Sequence, residues 1–126
     1  MSDTRISCSL DGSWRLVLDP DDIGVKQTWF HPGASLPEAL DVRVPSVWDR
    51  WVPDYDGIGW YFRDFELDST WQGRTIDLCF EAADYVAEVW LNGNRLGEHE
   101  GGYTPFRFDA TKAVSLDKPN HIAVRI

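Results

Sequence analysis

VWLNGNRLGEHEGGYTPFRFDAT, residues 89–111, decides the fold. Val89 and Leu91 alternate with Trp90, which is strand periodicity. Asn92-Gly93 follows, and a two-residue type I′ turn needs a positive φ at both positions, which that pair tolerates best. Arg95–His99 then reads as the returning strand of a hairpin. Gly101-Gly102 opens backbone conformations closed to other residues. Phe106 and Phe108 alternate into a further strand, and Asp109 ends it with a carboxylate able to accept the amide of Thr111 or Lys112, starting one helical turn through Val114. A one-residue slip anywhere in the hairpin would turn Val89 and Leu91 to solvent, so the turn chemistry also fixes register.

The same period of two runs outward in both directions. Residues 85–91 place Tyr85, Ala87, Val89 and Leu91 on one side. Residues 74–82 alternate Ile76, Leu78 and Phe80 against Thr75, Asp77 and Cys79. In GWYFRDFEL (59–67), Tyr61, Phe65 and Leu67 share a face with Arg63, and Trp60 and Phe62 take the other. Trp14, Leu16 and Leu18 form a face near the start, and Ile122, Val124 and Ile126 form one at the end. Between Pro20 and Pro53 lie five of the seven prolines and little periodicity, a long connection of the kind that often carries function. Within it Asp21 or Asp22 is expected to cap a short helix over 23–30, and 41–45 is expected to be briefly extended. Helical periodicity beyond two turns is absent. Short alternating strands separated by turns predict an all-β, antiparallel sandwich. The final apolar strand, 121–126, has no turn or charge cluster after it, so the sandwich is expected to be truncated at that end, a fragment of something longer.

Composition bounds the function. A chain of 126 residues is one domain, long enough to bury a core without staples. A net charge of −9 argues against a nucleic-acid partner, since no basic face would dominate the field. No apolar run approaches the roughly 20 residues that cross a bilayer, so no membrane partner is expected. The first residues, MSDTRISCSLDG, carry no apolar stretch behind a basic start, which reads as a cytoplasmic protein. Cys8 and Cys79 fit no metal spacing; they read as reduced thiols, with a single disulfide between them left open. The Asp19–Asp22 cluster lacks the further spaced oxygens calcium needs. His31, His99 and His121 stand in no zinc pattern and read as surface or turn residues. No cofactor or metal is implied. No nucleophile elbow, phosphate cradle or assignable carboxylate pair is present either, so no catalytic residue is nominated. Seven tryptophans are a heavy load, and they support two readings: core anchors of a sandwich, or platforms that stack on sugars.

LDGSWRLVLDPDD (10–22), VPSVWD (44–49), GWYFRDFEL (59–67) and above all FEAADYVAEVWLNGNRLGEHEGGYTPFRFDAT (80–111) resemble the N-terminal sugar-binding domain of glycoside hydrolase family 2, which includes β-galactosidases, β-glucuronidases and β-mannosidases. The resemblance covers residues 10–126. It implies a jelly-roll, galactose-binding-like β-sandwich, a single domain over 1–126, set ahead of an immunoglobulin-like domain and a TIM barrel. It further implies that both catalytic glutamates of a retaining mechanism lie on the barrel, so neither maps onto this chain. The domain's role would be to buttress the barrel and shape the sugar-binding mouth, with homo-oligomer formation possible through apolar surface that meets neighbouring domains. In β-galactosidase-like members the loop before the Trp-Tyr strand reaches towards the active-site mouth. Here that makes Trp48, Asp49 and Trp51 the expected substrate rim, the acid accepting sugar hydroxyls and an indole stacking on an apolar sugar face. The competing expectation is that the two tryptophans pin the connection to the sandwich. A free-standing carbohydrate-binding module is the alternative function.

Overall fold

The computed structural model describes residues 7–44, 57–80, 86–100 and 105–126. Eight strands are described: β1 (Gly12–Asp19), β2 (Leu40–Val44), β3 (Ile58–Glu66), β4 (Asp77–Phe80), β5 (Val86–Leu91), β6 (Asn94–Glu100), β7 (Phe106–Asp109) and β8 (Pro119–Arg125). Six form one sheet in the order β2-β1-β3-β8-β5-β6, and β4 pairs with β7 in a second. Every pairing is antiparallel, so the all-β sandwich expected from the alternation is present. A 3-10 turn, Ser69–Trp71, follows β3. Among the described residues no helix is long and apolar enough to cross a membrane.

Alternation explains how one large sheet buries both faces. On the first face Trp14, Leu16, Tyr61, Ala87, Val89, Leu91, Ile122 and Val124 pack together, and Leu78, Phe80, Phe106 and Phe108 of the small sheet close over them. On the second face Val17, Trp60, Phe62, Trp90 and Ala123 form a separate core, closed by Trp29, with Ile23, Phe30 and Leu36 packed around it. The strictly alternating neighbours of β3, Trp60 against Tyr61, therefore serve two different cores. This is why the middle strands read as nearly continuous apolar runs. Four of the seven tryptophans, Trp14, Trp29, Trp60 and Trp90, are buried, which gives them the core role and removes them from sugar stacking.

The second core is a column of rings. Phe30 stacks on Trp90 at 4.9 Å, Trp90 on Trp60 at 5.1 Å, Trp60 on Phe62 at 6.0 Å, and Phe62 on His121 at 5.7 Å. Trp29 meets Trp60 edge-on at 6.0 Å. His121 is thus buried on β8, with Nδ1 2.7 Å from Asp64 Oδ1, and the surface or turn role expected for it is corrected. Strand parity placed its ring on the aromatic face.

The hairpin forms as expected. Asn92 and Gly93 adopt φ of 53° and 84°. The Asn92 side chain does more than tolerate the turn: Nδ2 donates to Ala113 O and to Asn120 Oδ1, both at 2.8 Å, and Oδ1 accepts from His121 N at 2.8 Å. Asn120, fully buried, in turn accepts from Ser115 N and donates to Ser115 O. The helical turn expected after Asp109 is also present, with Ala113 N and Val114 N both bonded to Ala110 O. At Gly97 a Cβ would lie 2.7 Å from Phe108 Cε1, so only glycine lets β6 approach β7 this closely.

Candidate functional site

The rim expected from the sequence, Trp48, Asp49 and Trp51, lies outside the described residues, as do Gly101, Gly102 and Tyr103. The described flanks show where the connection between β2 and β3 joins the sheet. Val44 ends β2 opposite Gly12, and Ile58 begins β3 opposite Asp19. The two ends of the connection are therefore separated by the length of β1. The end at Ile58 is also where β8 finishes, since Gly59 and Ile126 exchange backbone hydrogen bonds of 2.9 Å in both directions.

Two charged groups organise this end of the sheet. The first is Asp19, the last residue of β1 and almost fully buried. Its Oδ1 accepts the Ile23 amide at 2.8 Å, and its Oδ2 accepts the Gly24 amide and Trp60 Nε1, both at 2.9 Å. Charge-assisted bonds of this kind are about twice as strong as neutral ones, and here three of them satisfy a carboxylate removed from water. The helix cap expected from Asp21 or Asp22 is thereby corrected: the cap is Asp19, and residues 23–30 form linked turns instead of a helix. A single i to i−4 bond, Gln27 N to Ile23 O, is followed by Trp29 N to Gly24 O and a positive φ at Thr28. Sequence parity carried the missed signal, because Asp19 shares the face of Val17.

The second is Arg125 on β8. Its Nη1 donates to Glu88 Oε1 at 2.8 Å and its Nη2 to Asp22 Oδ1 at 2.7 Å. Glu88 also meets Arg95, which reaches Glu98, both at 3.4 Å. Asp22 thus ties the connection to the sheet as an ion-pair partner, not as a cap. Glu88 and Arg125 stand in the same cross-strand row as Trp60, so the ion pairs border the aromatic column.

On the opposite face His99 stacks on Phe106 at 4.2 Å, and Phe106 on Phe80 at 4.8 Å. That geometry gives His99 a packing role. Cys8 and Cys79 are both exposed and free. Among the described residues no group of three His, Cys, Asp or Glu gathers to hold a metal. Among the described residues, two depressions are shallow and open. One, of about 310 Å³, lies over β1, β2 and β3 beside Ser13, Arg15, Asp41 and Asp64. The other, of about 460 Å³, lies between the 3-10 turn and the turn after β7, beside Trp71, Arg74, Ile76 and Thr111. Neither sets a nucleophile against a base. In the first, Arg63 Nη1 donates to the carbonyls of Leu10, Asp11 and Ser13.

Among the described residues, titration is shaped at Asp109, Asp68 and Tyr61. The Thr111 hydroxyl, then its backbone amide, hold the Asp109 carboxyl below its usual range, with Lys112 adding to this. Thr70 does the same for Asp68. Burial pushes Tyr61 up to about 12. All three are structural positions on turns or in the core.

A family described as "Glycosyl hydrolases family 2, sugar binding domain" matches residues 49–126. The chain belongs to this family. A β-glucuronidase from Paenibacillus borealis is 30% identical over 126 aligned residues, covering 96% of this chain and 21% of the relative. A β-glucuronidase from Canis lupus familiaris is 35% identical over 125, covering 90% and 19%. A β-galactosidase from Thermoanaerobacter pseudethanolicus is 40% identical over 74, covering 58% and 10%. The crystal structure of Ruminococcus gnavus β-glucuronidase superposes with a TM-score of 0.88 at 31% identity, over 94% of this chain and 21% of that one. This sugar-binding domain therefore spans about a fifth of the length of the β-glucuronidases it matches. The specific block at 80–111 falls inside the family match, as do Trp60, Phe62, Trp90 and His121 of the ring column, while Trp29 and Phe30 precede it.

Proposed function

We propose that this sugar-binding domain, residues 1–126 as one unit, is the N-terminal, non-catalytic part of a retaining glycosidase of the β-glucuronidase type. The observation that carries the reading is likeness to enzymes named β-glucuronidase across 90–96% of this chain, while the chain covers only about a fifth of them. The domain buttresses a catalytic barrel, with an immunoglobulin-like domain alongside, and shapes the mouth through which an O-linked β-glycoside enters. Trp48, Asp49 and Trp51 form the rim on the segment that joins β3 beside Asp19 and Arg125. There Asp49 accepts sugar hydroxyls, and an indole lies against an apolar sugar face.

An open rim lacks the enclosure that gives small ligands affinity. Calorimetric titration of the chain with glucuronic acid, galactose and mannose is therefore expected to show millimolar binding or none. In the complete hydrolase, Asp49→Ala and Trp51→Ala are expected to raise KM for an aryl β-D-glucuronide more than they lower kcat, because they remove binding and leave the reacting groups intact. Saturable binding by the chain alone below about 100 μM, worth more than about 5 kcal/mol, would overturn the reading in favour of a free-standing carbohydrate-binding module.

A further inference from the structure

We propose that Asn92 is a modification site gated by folding: it deamidates through attack by the Gly93 nitrogen, a reaction the native hydrogen bonds hold back and whose product those bonds cannot accept. Of the three asparagines, Asn92, Asn94 and Asn120, only Asn92 precedes a glycine. With no Cβ on the next residue, the following backbone nitrogen approaches the side-chain Cγ with the least hindrance. In the reaction the Gly93 amide gives up its proton to solvent and its nitrogen bonds to Asn92 Cγ. The Cγ–Nδ2 bond breaks, ammonia leaves, and a five-membered succinimide remains. Water then opens the ring at either carbonyl, giving aspartate or isoaspartate. Water is the only co-reactant.

The fold opposes each stage. Three hydrogen bonds fix the carboxamide against β8 and the turn after β7: Nδ2 to Ala113 O and Asn120 Oδ1, and Oδ1 from His121 N, all 2.8 Å. The attack requires Cγ to swing out of that plane and towards its own chain, so all three must break first. The backbone φ of 53° is further held by the hairpin and by the bond from Asn92 N to His121 O. The product is then excluded. An aspartate at 92 would turn a carboxylate oxygen onto two acceptors, the Ala113 carbonyl and Asn120 Oδ1. The latter is itself committed to Ser115 N at 2.7 Å, and Asn120 is fully buried. An isoaspartate would lengthen the turn backbone by one carbon and destroy the two-residue geometry. The hairpin therefore records time spent unfolded: once converted, the chain does not regain the native network.

The test follows the acid product at Asn92 by peptide mass spectrometry in the chain held native and held in urea at the same mildly alkaline pH. Conversion is expected to run at least about tenfold faster in urea, a difference of about 1.4 kcal/mol in barrier. Refolding yield should fall in step with conversion. Equal rates in the two conditions would overturn the gating. An Asn92→Asp variant as stable as wild type would overturn the exclusion of the product. Should that variant fail to fold, the exclusion is supported, and the two rates measured on the wild-type sequence still decide the gating.

Discussion

Asp19 Oδ2 accepts the indole N–H of Trp60 at 2.9 Å, joining the end of β1 to the centre of the ring column. The same oxygen holds the Gly24 amide and its twin holds that of Ile23, so one carboxylate fixes both the buried indole and the first turn of the segment that covers it. Removing one partner of a buried charged network leaves the others desolvated and unpaired. Asp19→Asn keeps one oxygen and sets an amide N–H against a donor. It is expected to cost about 2–4 kcal/mol. Urea unfolding followed by tryptophan fluorescence measures it: the midpoint should fall with the slope unchanged, and a midpoint within error of wild type would remove Asp19 from its central place.

Gly24 lies directly over that indole. A Cβ there would stand 2.4 Å from Trp60 Nε1, well inside contact distance, on a ring already wedged between Trp29, Phe62 and Trp90. Gly24→Ala is expected to destabilise by about 1–3 kcal/mol through overpacking. Gly33 has open space around its Cβ position, so Gly33→Ala should stay within about 0.5 kcal/mol of wild type. The contrast between the two alanines, measured by thermal unfolding, separates steric exclusion from the general effect of losing a loop glycine.

These two residues mark the limit of what the sequence made legible. Alternation over 59–67, 85–91 and 121–126 was enough to place the strands and to assign Tyr61 and Trp60 to opposite faces, because a period of two has one geometric solution. The Asn92-Gly93 turn was equally plain. That residues 20–39 would close a second core was not, since irregular backbone has no period to read. Trp29 and Gly24 find their partner Trp60 only through a contact more than thirty residues away in the chain, which no local pattern encodes. Among the acids from 19 to 22 the sequence pointed to Asp21 or Asp22 as a cap, where local spacing is best. The tertiary position of Asp19 at the strand end prevailed. As for the candidate site, family likeness named Trp48, Asp49 and Trp51, and the structure contributes the anchoring of the strand they lead into.

Acid should loosen the two Asp-Thr turns. Asp109 and Asp68 both titrate below the ordinary value of 3.8, chiefly because a threonine hydroxyl and amide bind the charged form. A depressed folded-state value contributes stability that is complete above the unfolded value and lost as pH falls through the folded one. The loss is therefore expected below about pH 4. Asp109→Ala should lower stability at neutral pH and leave a shallower acid limb in a series of urea midpoints. An unchanged acid limb would show that the turn after β7 does not sense the Asp109 charge.

Base should act through Tyr61, whose phenol is pushed up from 10.0 to about 12 by burial. The neutral ring packs in the first core opposite Leu16 and Val124, and a phenolate there would be poorly solvated. Because the folded value is raised, the folded chain holds a proton that the unfolded chain has released. Stability is then complete below about pH 10 and falls as pH rises towards 12, by at most about 1.4 kcal/mol per unit. Tyr61→Phe keeps the ring and removes the proton. It is expected to flatten the alkaline limb while leaving the neutral-pH midpoint within about 1.5 kcal/mol of wild type, the usual cost of one hydrogen bond. If the variant loses stability between pH 10 and 12 as steeply as wild type, the alkaline transition belongs to other groups and the burial of Tyr61 does not govern it.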